Sequence, residues 1–441
     1  MSTTSTPAPG SGPVPVVGPA TGRPGGGRRA VLGVPAALLT LAGSGYLVLM
    51  AGSGALPAAG FALLSAFYLL ANTVGRGTFA ALELELTRSV ARARATGRDV
   101  AGPCRVVLGR GLVLLLGVLA VLALAVVPLE RVLGGPGAVA LLGAGAGGLA
   151  ASSYVRGPLA GAGRYGGFVL SLLLEAGTCL LGAAVLRATG VDAPAAWMAV
   201  LALAPFVGVG GTLVVVPVAG LARRMTTARG GAGTGSFATL VWASLLFLGA
   251  QAVLNLGPVV ASARHAADPA TIAAFAGAAI VLRAPVMLFP AIQALLLPRL
   301  VHRAHGPSEP GAAGPSRARA VAAVAGLATV WMVGAVVLAP WLVPLLFVGE
   351  PVPRGVVALL AASVAAGTAA QFVQSELLAA DRSAGVALAW LAGVVVLVGV
   401  ALAPGVAPTT AAAAGQLLAT LVVLVGLSVQ AAPRRAGRRS R

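Results

Sequence analysis

Long, almost uninterrupted runs of apolar residues dominate this chain, and no soluble fold could bury so many of them. Charged residues make up only 9% of the 441 residues, hydrophobic residues make up 58%, and the mean hydropathy is +0.96. An ordinary globular protein carries about 25% charged residues. A helix that crosses a bilayer needs roughly 20 apolar residues, because lipid offers its backbone no hydrogen-bond partner. The composition therefore predicts an integral membrane protein.

Twelve stretches are long and apolar enough to cross the membrane, and charges or Gly/Pro clusters separate them. The first six are 30–51, 57–74, 106–128, 137–159, 166–186 and 195–221. The second six are 237–261, 271–297, 320–347, 355–379, 384–404 and 409–430. We expect an all-α polytopic membrane protein with about twelve transmembrane helices. We predict a disordered cytoplasmic tail at 1–29 and a first six-helix bundle at 30–222. A cytoplasmic linker at 223–236, a second six-helix bundle at 237–431 and a basic cytoplasmic tail at 432–441 follow.

The positions of the arginines orient the spans, since basic loops stay on the cytoplasmic side of a membrane. The chain has no lysine, and its formal net charge is +19. With the N terminus inside, the four arginines and four acids of the outer loops cancel: Arg131, Arg187, Arg264 and Arg354 against Glu130, Asp192, Asp268 and Glu350. The whole net charge then lies on the inner side. This predicts a multi-pass protein of the cytoplasmic membrane with both termini in the cytoplasm.

The strong basicity does not indicate nucleic-acid binding, although a pI near 11.8 would suggest it in a soluble protein. The arginines flank the spans, and aromatic residues, on which bases could stack, make up only 5% of the chain. The basic C-terminal tail is instead expected to contact anionic membrane lipids.

The two halves share a weak sequence echo. Residues 79–83 and 289–293 both read F-x-A-[LI]-[EQ], and residues 88–93 and 299–304 both read R-x-V-x-R-A. Chance is an open alternative in a chain so rich in Ala, Leu and Arg. A true repeat predicts two pseudo-symmetric six-helix bundles with a substrate site between them.

Two charges lie near the centres of predicted spans, where an ionisable group is costly and counts as a functional candidate. Arg283 stands before two prolines, Pro285 and Pro290, that would kink its helix. It either faces a cavity or is paired to lock the bundle. Glu175 is either a coupling carboxylate or the partner of Arg283.

Further polar residues lie within or beside the spans. Arg76 and Glu83 are close enough to the inner end of span two to line an inward-open vestibule. Amides at helical spacing occur in spans seven and ten, and these either join helices or bind sugar hydroxyls: Gln251, Asn255, Gln371 and Gln374.

No constellation for catalysis, a metal or a cofactor occurs in the sequence. There is no phosphate-binding loop of the Walker A type, and the two cysteines, Cys104 and Cys179, cannot form a disulfide framework or a metal site. A membrane glycosyltransferase would need catalytic acids in a sizeable outer loop, whereas the outer loops are short. The chain is therefore not expected to be an enzyme.

Two segments carry a family resemblance. Residues 72–88 (NTVGRGTFAALELELTR) and 282–300 (LRAPVMLFPAIQALLLPRL) look like polysaccharide-biosynthesis flippases of the multidrug/oligosaccharidyl-lipid/polysaccharide flippase superfamily. In architecture the resemblance covers about residues 30–430. The acidic-Gly-Ala segment of lipid II flippases is replaced here by Gly77-Thr78-Phe79-Ala80, which counts against a peptidoglycan-precursor role.

The resemblance implies two six-helix bundles, alternating access and a polyprenyl-pyrophosphate-linked oligosaccharide as substrate. Arg76 and Arg283 would correspond to the family's cationic cavity residues. Other polysaccharide-assembly proteins are expected partners. Two alternatives stay open: a cation-coupled multidrug antiporter of the same superfamily and a non-transporting scaffold of polysaccharide assembly.

Overall fold

A computed structural model describes residues 27–97, 99–216, 236–264, 268–284, 286, 317–347, 351–380 and 382–432. Within these ranges the regular secondary structure is helical. Eleven helices are long and apolar enough to cross a membrane, and a further apolar helix, Pro269–Leu282, is shorter. The expectation of an all-α polytopic protein is confirmed.

The first half contains α1 (Gly27–Ser53), α2 (Ala58–Ala71), α3 (Gly77–Ala95), α4 (Ala101–Leu124), α5 (Val126–Leu133), α6 (Pro136–Gly161), α7 (Tyr165–Ala188) and α8 (Pro194–Val215). The second half contains α9 (Phe237–Arg264), α10 (Pro269–Leu282), α11 (Arg317–Leu346), α12 (Arg354–Ala379), α13 (Ser383–Ala401) and α14 (Pro408–Ala431).

Equivalent helices pack in the same way in the two halves. In the first half α1 packs on α7, α7 on α8 and α6 on α8. In the second half α9 packs on α13, α13 on α14 and α12 on α14. The halves meet where α9 lies along α2 and α3 and where α10 contacts α2. This repetition agrees with two pseudo-symmetric bundles.

The second span is longer than the sequence indicated. Ala58–Ala95 forms one continuous helix of 38 residues, about 57 Å long at 1.5 Å per residue. A bilayer core is about 30 Å thick, so part of this helix extends beyond it. Its last turns are amphipathic: Leu86 and Val90 are buried in a cluster between α3, α4 and α6, while Arg88 and Arg92 are exposed. We call the end of the molecule that carries these arginines the basic end.

Several predicted features lie outside the described residues. They are the tail before residue 27, nearly all of the linker at 223–236, the end of span eight with Pro285, Pro290 and the second copy of the sequence echo, and the tail after residue 432. The third span ends at Leu124, earlier than predicted, and the short helix α5 with Glu130 and Arg131 follows it.

Two glycines allow α6 to lie directly against α3. A Cβ added at Gly161 would be 2.5 Å from the carbonyl oxygen of Thr87, and one at Gly157 would be 2.5 Å from Cβ of Leu86. The Thr87 hydroxyl also donates to the carbonyl of Gly157 at 3.2 Å. Small residues four apart are a common means of close helix packing in membranes.

We expect Gly161→Leu to lower the free energy of unfolding by about 1–3 kcal/mol, because the new side chain must push against backbone atoms of α3. Thermal unfolding in detergent measures this effect. Gly177→Leu on α7 is the matched control, since a Cβ there meets nothing within 4 Å. Equal melting temperatures for the two variants would contradict the packing described here.

Candidate functional site

The long second helix carries a π-helical segment, Asn72–Arg76, at the boundary between the halves. π-helical turns are rare and often occur at functional sites. A Cβ at Gly75 would collide with Leu149 of α6, and one at Gly77 would lie 2.9 Å from Cα of Leu248 on α9. The segment is thus held closely by both halves, so its polar residues can contact either one.

A buried ion pair lies beside this segment in the first half. Glu175 on α7 is only 3% exposed, and its carboxylate accepts from Nη2 of Arg156 on α6, which is also buried. Nε of Arg156 donates to the hydroxyl of Ser171 at 3.1 Å. Glu175 and Ser171 thus give the Arg156 guanidinium the partners that a buried charge requires.

Arg76 is the accessible member of this cluster. Its Nη2 lies 3.9 Å from Oε1 of Glu175, and its side chain is 38% exposed. Both residues line a cavity of about 50 Å³, together with Ser44, Tyr68 and Asn72. A cavity of this size has room for a few water molecules but not for a sugar.

Glu83 joins the same cluster from α3. Its side chain is half-buried, and it lies within electrostatic reach of Arg76, Arg156 and Glu175. The structure therefore brings together three residues named from the sequence, Arg76, Glu83 and Glu175. It adds Arg156, which sequence reasoning missed because this residue lies within one turn of a predicted span end.

Arg283 forms no ion pair with Glu175, whose carboxylate is paired with Arg156 and Arg76 instead. Arg283 follows α10, is 1% exposed, and donates from Nη1 to the side-chain oxygen of Asn255 on α9. The Asn255 amide nitrogen donates to the hydroxyl of Thr73 at 3.0 Å and to the side-chain oxygen of Gln251 at 3.1 Å. The bond to Thr73 joins the second half to the first.

The guanidinium of Arg283 is incompletely paired. Its Nε and Nη2 are buried and have no hydrogen-bond partner among the described residues. The hydroxyl of Tyr46 on α1 lies close to the guanidinium and interacts with it, but no hydrogen bond of good geometry joins the two groups. An unsatisfied buried polar group costs about 1–3 kcal/mol, and more for a charged one. This site is thus suited to accept an anionic group.

The side-chain amides of span ten make their contacts within the second half. Gln374 is buried, and its side-chain oxygen accepts from the indole N–H of Trp390 at 2.6 Å. Gln371 is half-buried, and its backbone carbonyl accepts from the hydroxyl of Ser375 at 2.9 Å. Of the four predicted amides, Asn255 therefore contacts Arg283, Gln251 contacts Asn255, and Gln374 joins two helices.

We expect Arg156→Met to lower the free energy of unfolding by about 3–5 kcal/mol, because it leaves the Glu175 carboxylate buried without its closest partner. The double variant Arg156→Met/Glu175→Leu should recover much of this loss. Arg164→Met, at an exposed position just beyond α6, is the control. Additive effects of the two single substitutions in thermal or denaturant unfolding would contradict the ion pair.

Comparison with solved structures identifies proteins of similar fold. No family model matches the chain, and no curated protein matches it. Among solved structures it is similar to an inward-facing multidrug resistance MATE family transporter of the MOP superfamily, with a TM-score of 0.65 and 14% identity. That match covers 91% of this chain and 97% of the other.

A mutant of the Vibrio cholerae MATE transporter VcmN gives a TM-score of 0.58 at 16% identity, covering 92% of this chain and 96% of the other. At such identities the likeness establishes the fold alone. The chain has the two-lobed helical fold of the MATE transporters of the MOP superfamily.

Proposed function

We propose that this protein is a flippase that moves a polyprenyl-pyrophosphate-linked oligosaccharide across the cytoplasmic membrane by alternating access. Both termini would lie in the cytoplasm. The observation that carries the proposal is the buried Arg283 guanidinium at the contact between the halves, whose Nε and Nη2 have no hydrogen-bond partner among the described residues. Arginine is well suited to a pyrophosphate, because its fork of donors is always charged.

The balance of charge in the middle of the protein supports an anionic substrate. Among the described residues, the two clusters contain three arginines, Arg76, Arg156 and Arg283, and two acids, Glu83 and Glu175. Glu175 is already bound to Arg156. An anionic head group would therefore be attracted here, and a cation would meet an excess of positive charge.

The bond between Asn255 and Thr73 gives alternating access a physical basis. It joins α9 to the π-helical segment, so a separation of the halves at this point would break it. Asn255 would then be free to bind the substrate next to Arg283, with Gln251 one helical turn away. Gln251 and the half-buried Gln371 would supply amides for sugar hydroxyls.

We expect Arg283→Ala to reduce translocation of a lipid-linked oligosaccharide about a hundredfold, because two charge-assisted hydrogen bonds to the head group are lost. Arg283→Lys should recover only part of the activity, since an ammonium keeps the charge but lacks the planar fork of donors that binds a phosphate through two parallel hydrogen bonds. Purified protein in proteoliposomes, with the glycan lipid scored by an outside lectin or glycosidase, measures the rate.

Arg264→Ala is the matched control for this experiment. It removes an arginine from the same half, but from the far end of α9, where Arg264 bonds to the carbonyl of Ala401. Both variants should be monodisperse and melt cooperatively. Unchanged translocation in a folded Arg283→Ala protein would overturn the assigned site. A wild-type protein without translocation would favour a scaffold of polysaccharide assembly, which would bind the other assembly proteins.

A cation-coupled multidrug antiporter is the second candidate, favoured by the buried carboxylate of Glu175 beside the Arg76 cavity. It predicts that a proton or sodium gradient drives a cationic dye out of proteoliposomes, and that Glu175→Gln abolishes this flux. Under the flippase proposal the dye is not moved. Glycolipid translocation then continues in folded Glu175→Gln protein, because Arg76 and Arg156 remain positive.

A further inference from the structure

The hydroxyl of Tyr46 lies beside the Arg283 guanidinium at the contact between the halves. Tyr46 belongs to α1 of the first half, and Arg283 follows α10 of the second. The hydroxyl oxygen is buried and interacts with the guanidinium, but it has no hydrogen-bond partner of good geometry among the described residues. Two buried polar groups from different halves therefore meet at one place with unused hydrogen-bonding capacity.

The ring of Tyr46 is held in place by Tyr68 on α2. The two rings meet edge to face, with their centroids 6.4 Å apart and their planes at 66°. Helix α1 can lie directly against Tyr68 because residue 45 is a glycine: a Cβ at Gly45 would be only 2.8 Å from Cε2 of Tyr68. These contacts fix the ring, and with it the position of the hydroxyl next to Arg283, before any ligand binds.

The polar groups around Arg283 include more hydrogen-bond donors than acceptors. An arginine can only donate, and a tyrosine hydroxyl has one proton to donate. The side-chain oxygen of Asn255 already accepts from Nη1 of Arg283. The carboxylate of Glu175 is paired with Arg156. Nε and Nη2 of Arg283 and the Tyr46 hydroxyl have no partner among the described residues, so this place lacks a group with several acceptor oxygens.

A phosphoryl group meets this requirement. Nε and Nη2 are the two donors on one edge of the Arg283 guanidinium, and such an edge binds a phosphate through two parallel hydrogen bonds. The phosphoryl group has further oxygens, so it can accept from the Tyr46 hydroxyl at the same time. The fork of donors comes from the second half and the hydroxyl from the first.

We infer that Tyr46 is the first-half ligand of the same phosphoryl group that Arg283 binds from the second half. The inference rests on the proposed function and deepens it, since it names a further residue of the substrate site and the part of the substrate that this residue touches. Because each half supplies donors, the head group is bound most tightly when the halves lie close together around it. Binding would therefore favour closure of the halves at this point.

Farnesyl pyrophosphate, a short polyprenyl pyrophosphate without a glycan, tests this contact by calorimetry on the full-length protein in nanodiscs. Tyr46→Phe keeps the ring and removes the hydroxyl. We expect it to weaken binding of this probe about tenfold, because one hydrogen bond to a charged group is lost. Its melting temperature without the probe should equal or exceed that of the wild type, since the buried hydroxyl has no hydrogen bond to lose.

Tyr154→Phe is the matched control. The hydroxyl of Tyr154, on α6 near the basic end, donates to the carbonyl of Cys104 at 3.2 Å. This variant should melt at a lower temperature than the wild type, because it loses that bond, and should bind the probe as tightly. The two variants are thus expected to differ in opposite directions in stability and in binding. A purely structural role of the Tyr46 hydroxyl would lower the melting temperature and leave the affinity unchanged.

A double variant shows whether Tyr46 and Arg283 bind one group. If they do, Tyr46→Phe should weaken binding less in an Arg283→Lys background than in the wild type, because lysine does not hold the phosphoryl group in the same orientation toward the hydroxyl. Equal fold losses in the two backgrounds would place the two residues at separate sites and would overturn the inference.

Inorganic pyrophosphate distinguishes a lipid head group from a free anion. It should bind at least about tenfold more weakly than farnesyl pyrophosphate, because it lacks the apolar chain. Equal affinity for the two probes would assign the site to a free anion and would overturn the lipid as its ligand.

Binding needs no translocation, so the two proposals can fail separately. Translocation by a wild type whose probe affinity is unchanged in Tyr46→Phe, or by a wild type that does not bind the probe, would overturn this inference alone. A Tyr46-dependent affinity in a protein that moves no glycolipid would overturn the proposed function alone.

Discussion

A charge in the middle of a bilayer persists only where a partner or water compensates it, and this condition organises the centre of the protein. In the first half Glu175 and Arg156 compensate each other, with Ser171 completing the arrangement. Arg283 makes one side-chain hydrogen bond, to the amide oxygen of Asn255, and pairs with no carboxylate among the described residues. One half therefore holds a closed ion pair, while the boundary holds a cation with unused donors.

The long second helix connects these two environments. Its π-helical segment places Thr73 against Asn255 of the second half and Arg76 against Glu175 of the first. Gly75 in this segment and Gly77 just after it allow α6 and α9 to approach closely, so we expect a shift of either half to displace the segment. Rearrangement of the halves would thus change the contacts of Arg283 and Arg76 together, and this physical connection between the clusters runs through one helix.

Much of the fold could be predicted from the sequence, because hydrophobic run length is a local property. The twelve stretches and their breaks needed no knowledge of packing. The pairing of charged side chains is not a local property. Glu175 was a candidate partner for Arg283, but its carboxylate pairs with Arg156 on the neighbouring helix. Arg156 itself resembled a flanking charge, and only the contact of α6 with α7 makes it part of the site. For Gln374 the sequence left open whether it joins helices or binds a sugar, and the hydrogen bond from the indole N–H of Trp390 favours the first role.

For the lipid-linked oligosaccharide that we propose as substrate, the placement of the charges has an energetic consequence. A lipid tail that stays among apolar side chains and acyl chains exchanges one apolar environment for another, so its transfer would cost little. The barrier would then lie almost wholly in dehydrating the anionic head group. Nε and Nη2 of Arg283, which have no hydrogen-bond partner among the described residues, would lower that barrier, because they would replace the water that the head group gives up.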